Sequence, residues 1–199
     1  MTESNIEVIK WMCQWPNWGD GIYNNITFIV GEKSSGKTHL SQIWSKKSEA
    51  IYVKQEDLSS KSYLAQGDKN FVLEDVDLLS CEKDIFHFIE HVINNKNYLV
   101  ITSGKSPRDL FTLPDLCSRL NSLLLMKIRK PDSVMVEQIL VKYFSDRQIS
   151  VSESVIKYLI ARVDFRYKSI SELVEKLDTS SLESQKSISI PFIKSILNL

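Results

Sequence analysis

The stretch that decides the fold is Ile26-Thr27-Phe28-Ile29-Val30-Gly31-Glu32-Lys33-Ser34-Ser35-Gly36-Lys37-Thr38. Its first five residues are β-branched or aromatic, the composition of a buried strand. The last eight spell G-x-x-x-x-G-K-T, and Thr38 to Lys47 continues in a helical pattern. Strand, glycine-bounded loop and helix in that order form the context in which this motif cradles a polyphosphate. Gly31 and Gly36 let the backbone curl so that the N–H groups of the loop, Ser34 and Ser35 among them, face phosphate oxygens. Lys37 is placed to reach the β- and γ-phosphates, Thr38 to hold Mg²⁺, and the helix N-terminus adds a favourable dipole.

Such a loop needs a carboxylate at the end of a nearby strand to hold the metal's water shell and orient the attacking water. Phe71-Val72-Leu73-Glu74-Asp75 supplies two, the first 37 residues after Lys37. Glu74 takes the metal-site position and Asp75 the water-orienting one; the competing reading is a solvated strand end capped by these acids and Asp77. The next strand ends Val100-Ile101-Thr102-Ser103-Gly104, where either hydroxyl is placed to sense a γ-phosphate or simply to shape a turn. His87-Phe88-Ile89-Glu90-His91 matches a zinc-protease pattern. Both histidines point away from the apolar face set by Ile85, Ile89 and Val92, and no third ligand is evident, so a solvated helix face is expected.

Further candidate strands are 50–53, 70–73, 98–102 and 122–128, with a helix over about 81–94 whose Ile85, Phe88, Ile89 and Val92 share one face. Strands alternating with helices predict a mostly parallel, covered sheet. After Lys130-Pro131-Asp132 no strand pattern remains, and helices are expected over about 132–147, 152–163, 169–179 and 190–198. Asp132 and Ser152 are candidate caps, Pro191 suits a first turn, and Ser180–Ser189 reads as a linker. The expected organisation is an α/β P-loop parallel-sheet domain over 1–130 followed by a small all-helical lid over 131–199.

Composition agrees with such a chain. The 199 residues are 43% hydrophobic, enough for real cores, and carry 25 Lys+Arg against 25 Asp+Glu. Residues 1–129 hold 15 basic and 16 acidic side chains, so neither part is a basic arm for nucleic acid. Cys13, Cys81 and Cys117 are far apart and form no CxxC pair, which argues against a disulfide framework or zinc ribbon. The polar N-terminal stretch lacks a signal-peptide core, and no apolar run approaches the ~20 residues of a membrane span, so a cytoplasmic location is expected.

With these residues in hand, the sequence resembles the AAA+ ATPases of the bacterial DnaA family, specifically the short Hda-type regulators. Gly31–Trp44 looks like the family's Walker A segment with its Thr38-His39-Leu40 continuation, which adds His39 to the cofactor-binding set. Asn70–Asp77 resembles the Walker B of the α-proteobacterial Hda-like branch, where the Trp15-Pro16-Asn17-Trp18 string also recurs. Ser106–Leu120 resembles the stretch carrying the arginine finger and puts that role on Arg119; Ser187–Leu199 is similar to the family's C-terminus.

The resemblance implies an AAA+ module that binds ATP or ADP with Mg²⁺ and provokes DnaA to hydrolyse its ATP, with Arg119 reaching DnaA's nucleotide. A relative of this kind is tethered by the sliding clamp, but its clamp-binding peptide is absent from this chain. The strand after Walker B ends Ser103-Gly104-Lys105 where relatives have an aspartate, and Lys168 stands where relatives use a sensing lid arginine. Lysine cannot make the bidentate contact, so weak intrinsic hydrolysis is expected. Self-association is compatible with the resemblance, and direct sequence-specific DNA binding is not expected because no helix-turn-helix domain follows. The runner-up is a self-sufficient ATPase driving a replication-associated remodelling or loading step; a small-metabolite kinase is disfavoured for want of an Arg-rich lid.

Overall fold

Ile26–Val30 forms strand β1, and all five residues are buried. The computed structural model describes residues 5–19, 21 and 23–197. β1 pairs in parallel with β4 (Leu99–Ser103) on one side and β5 (Leu124–Lys127) on the other. With β3 (Phe71–Leu73) and β2 (Ile51–Tyr52) the sheet has five strands in the order β2-β3-β4-β1-β5, all parallel. Val30 stands opposite Ser103 and Lys127, and Leu73 opposite Ile101, so the strands end along one edge. The chain leaves β1 for the far edge and later returns to its other side, which makes β1 a topological switch point, where open α/β sheets bind ligands.

Helix α2 (Lys37–Ser48) follows the glycine loop and buries Lys37, Ser41, Trp44, Ser45 and Ser48 at helical spacing. Its buried serines leave room for close approach, and their hydroxyls return to the carbonyls of Thr38, Gln42 and Trp44 at 2.9, 3.1 and 2.8 Å. α3 (Gln55–Ser60), α4 (Glu82–Asn94) and α5 (Pro114–Asn121) enclose the larger core with the inward residues of the strands. There Ile85, Phe88, Ile89 and Val92 of α4 are fully buried, each contributing roughly 1.5–3 kcal/mol.

α1 (Ile6–Cys13) is held by an aromatic stack. Trp18 lies between Trp11 and Trp44 at centroid distances of 5.9 and 5.5 Å, with Tyr98 edge-on at 5.5 Å. Trp11 Nε1 donates to Thr27 Oγ1 at 2.9 Å and the Tyr98 hydroxyl to the Pro16 carbonyl at 2.7 Å. The Trp15–Trp18 string thus packs the entry segment against the strand it precedes.

Contacts divide the chain into two units: 5–31 with 36–128, and 129–197 grouped with loop residues 32–35. In the second, α6 (Ser133–Asp146), α7 (Glu153–Ile160), α8 (Tyr167–Ser184) and α9 (Ile190–Leu197) close around their own core of Val136, Leu140, Phe144, Ile170, Val174 and Leu177 among others. Asp132 caps α6, its Oδ1 accepting the Met135 N–H at 2.7 Å.

The architecture is the α/β sheet with a helical lid that the sequence implies, and the differences are local. α8 runs on through Ser184, so half of the serine-rich stretch is helix rather than linker. The Ser184 hydroxyl folds back onto the Ser180 carbonyl at 2.6 Å, and the helix stops only at left-handed Gln185. Ser152 makes no capping bond and instead meets the Ser154 hydroxyl at 2.8 Å. Helices α1, α3 and α5 were not evident from periodicity, each being eight residues or fewer. The final helix expected to reach Asn198 is seen to Leu197, and Asn198 and Leu199 lie outside the described residues. No helix among the described residues is long and apolar enough to cross a membrane.

Candidate functional site

The loop after β1 is shaped by two residues with positive φ, Ser34 at +68° and Gly36 at +92°. Left-handed residues turn successive N–H groups to one side, the geometry of an anion nest. A Cβ at Gly36 would meet nothing within 4 Å, so glycine serves the backbone conformation there and not a tight contact. Ser35 is buried, yet its Oγ has no partner among the described residues. A buried, unanswered hydroxyl beside such a nest fits a phosphate oxygen. Gly31 is anchored by its N–H to the Ser103 carbonyl at 3.1 Å.

Lys37 opens α2 and is buried, its Nζ donating to the Gly31 carbonyl at 2.9 Å. Thr38 and His39 are exposed in the same first turn. That turn holds no acidic residue, while Lys46 and Lys47 occupy the last, so both ends suit the helix dipole and leave the N-terminus open to an anion.

Across the sheet end, Glu74 accepts the Ser41 hydroxyl at 2.5 Å. Ser41, three residues after Thr38 and fully buried, was not singled out from the sequence. Its signal was a serine on the apolar face of α2, at the i+3 step from Thr38. Through Ser41 the structure brings the first turn of α2 and Glu74 together, although β4 lies between β1 and β3. A threonine hydroxyl with one carboxylate is a hard-oxygen set that suits Mg²⁺, which keeps waters and phosphate oxygens as its other ligands. No cluster of three His, Cys, Asp or Glu able to hold a metal occurs among the described residues.

Asp75 adopts a left-handed backbone, φ +46°, ψ +48°. Its N–H donates to Thr102 Oγ1 at 3.0 Å, and its carboxylate makes no bond to a described residue. Thr102 therefore anchors the Asp75 backbone, and the Ser103 hydroxyl accepts the Lys105 N–H at 3.0 Å, shaping its own turn. Gly104 donates its N–H to Asp77 Oδ1 at 2.8 Å, and a Cβ there would stand 3.0 Å from Asp77 Oδ2. Glycine at this point leaves room for the Asp77 carboxylate.

Arg119 lies in the last turn of α5, half-buried, ion-paired with Glu90 of α4 and hydrogen-bonded to the Tyr23 hydroxyl. Its guanidinium also lies 5.3 Å from the centroid of the Tyr23 ring. In the helical unit, Lys168 pairs with Glu172 at 3.4 Å and Arg166 with Asp164 at 2.5 Å, all partly exposed. One expectation is corrected in part: His91 is half-buried rather than solvated. It packs beside Tyr63 and Phe71, at 5.2 and 6.4 Å between centroids, with Nε2 buried, and burial holds its pKa below the ordinary value. Helical spacing places His91 between the apolar face and the exposed one, so neighbouring aromatics could cover it; His87 is exposed as expected.

A parallel sheet with a P-loop at its switch strand and a separate helical unit defines the AAA+ class of fold. Residues 135–197 match the family model for the Hda lid domain. The whole chain superposes on domain III of the replication initiation protein DnaA from Thermotoga maritima with a TM-score of 0.75 at 18% identity, covering 92% of that chain. AMPPCP-bound DnaA from Aquifex aeolicus gives a TM-score of 0.68 at 22% identity over 92% of this chain and 64% of its own length. An uncharacterized Haemophilus influenzae protein is 29% identical over 189 residues, covering 86% of this chain and 81% of that protein. The fold is thus a DnaA domain III-like AAA+ module with an Hda-type lid, a DnaA/Hda-like architecture.

Proposed function

We propose that this chain is an adenine-nucleotide-binding AAA+ regulator of replication initiation that stimulates ATP hydrolysis by DnaA. The observation that carries the reading is the Hda lid match over 135–197 on a chain whose fold is DnaA domain III-like. Residues 1–130 act as the nucleotide domain and 131–199 as the lid. Gly31, Ser34, Ser35, Gly36, Lys37, Thr38 and His39 take ATP or ADP, with Lys168 sensing it from the lid; the left-handed loop and the unanswered Ser35 hydroxyl support this. Thr38 and Glu74 hold Mg²⁺, whose bound form supplies charge neutralisation at the phosphates. Asp75 orients water, and Arg119 stabilises charge on DnaA's departing γ-phosphate. The Walker B string supports an α-proteobacterial type. The protein works in the cytoplasm through protein partners, DnaA and further copies of itself, rather than by reading DNA sequence.

The Asp75 carboxylate, without a partner among the described residues, favours a second reading, in which the chain hydrolyses its own ATP in a remodelling or loading step. Turnover of ATP by the chain alone and by DnaA in its presence separates the two. On the first reading Arg119→Ala loses about 10³-fold or more of the stimulation, the low end for a trans-acting arginine, while nucleotide still copurifies. Substantial turnover by the isolated chain, abolished by Lys37→Ala, with no effect on DnaA, gives the answer to the second.

A further inference from the structure

Both terminal nitrogens of Arg119 are occupied within its own chain, one by the Glu90 carboxylate and one by the Tyr23 hydroxyl. Those nitrogens are the ones a guanidinium uses to grip a phosphate bidentately. The side chains of Arg119 and Glu90 are only 26% and 32% exposed, so water screens the pair less than it would on an open surface. The host helix is held too. Glu82, two turns before Glu90 on α4, accepts the N–H groups of Leu113 and Thr112 at 2.7 and 3.1 Å, which ties down the entry to α5. α4 therefore grips α5 at its start through Glu82 and at its last turn through Glu90. Tyr23 comes from the turn before β1, where its carbonyl accepts the Ile26 N–H. Three elements converge on one arginine.

We infer that Glu90 and Tyr23 are positioning residues that hold Arg119 withdrawn, so that it reaches a partner's nucleotide only after this cis contact opens. The inference rests on the proposed role of Arg119 toward DnaA. The physical logic is competition: the partner's γ-phosphate must displace Glu90, and the apparent affinity of the productive complex falls by the fraction of molecules in which the arginine is released. A partly exposed charge pair of this kind, together with the Tyr23 contact, corresponds to about a fivefold bias toward the held state.

The test uses the full chain and purified ATP-loaded DnaA. Half-maximal stimulation should come at a lower concentration for Glu90→Gln and for Tyr23→Phe, and at about fivefold lower concentration for the double variant that removes both contacts. Arg119→Ala and Glu90→Gln/Arg119→Ala should be equally inactive. Glu90→Gln that stimulates no better than wild type, or worse, overturns the inference, because Glu90 would then support a productive arginine. A separate readout needs no DnaA: the guanidinium NMR signals of Arg119 should show hindered rotation in wild type and free rotation in Glu90→Gln. Free rotation in wild type sinks the held state whatever DnaA does. Hindered rotation with no stimulation by any variant overturns instead the proposed action on DnaA, and the inference resting on it.

Discussion

Thr102→Val removes one oxygen from the interior and should disturb the site without changing the shape of the core. Thr102 is 0% exposed, and its Oγ1 is the acceptor for the Asp75 N–H at 3.0 Å. Valine is nearly isosteric, so the cost is that of the stranded N–H, about 1–3 kcal/mol when water cannot answer it. Asp75 is half-buried, which lets water recover some of this, and the added methyl recovers more. A net loss of about 1–2 kcal/mol results. The left-handed backbone at Asp75 (φ +46°) adds its own strain, of order 1 kcal/mol, normally held in place by this bond. All four tryptophans lie between residues 11 and 44, so fluorescence during urea denaturation reports the sheet unit alone. Thr102→Val should lower the midpoint there and speed exchange of the Asp75 amide; Thr102→Ser, which keeps the acceptor, should leave that amide protected. An Asp75 amide equally protected in Thr102→Val would refute the reasoning.

Two further perturbations test the surroundings. Gly104→Asp places a Cβ 3.0 Å from Asp77 Oδ2 and adds a like charge, so it should lower the melting temperature by a few degrees, worth about 1 kcal/mol, with Asp77→Ser partly restoring it; an unchanged melt in Gly104→Asp counts against the crowding. Glu82 is held below the ordinary 4.5 by hydrogen bonds from the Leu113 N–H, then from the N–H and hydroxyl of Thr112. A depressed carboxylate stabilises fully above its unfolded value, and that stability is lost as pH falls from there through the folded value. Glu82→Gln should therefore flatten the acid limb of the stability curve, and an unaltered slope would show the clamp on α5 to be idle.

How much was legible in the sequence follows from the range of each interaction. The P-loop could be read because a strand, a turn and a helix start are local: five β-formers, two glycines and a Lys-Thr pair lie in thirteen consecutive residues. The long helices were equally plain, since an apolar stripe repeats over several turns. Short α1, α3 and α5 give too few repeats to register, and the serine-rich end of α8 reads as linker because it carries no apolar stripe, although the helix continues there through Ser184. The partial burial of His91 is not legible along the chain because Tyr63 and Phe71, which pack beside it, come from other elements.

By itself, then, the sequence determined that a phosphate-cradling loop joins a core strand to a helix, that two acids end a later strand, and that an all-helical segment follows. Those are statements about neighbours along the chain, governed by backbone sterics and side-chain periodicity. Only the tertiary structure decided the strand order that inserts β4 between the loop and the acids, the Ser41 hydroxyl that links them, the Thr102 anchor under Asp75, and the capture of Arg119 by Glu90 and Tyr23. Each of these joins residues at least 27 positions apart, and such pairs meet only when burial of the sheet's two faces fixes which helix lies over which strand.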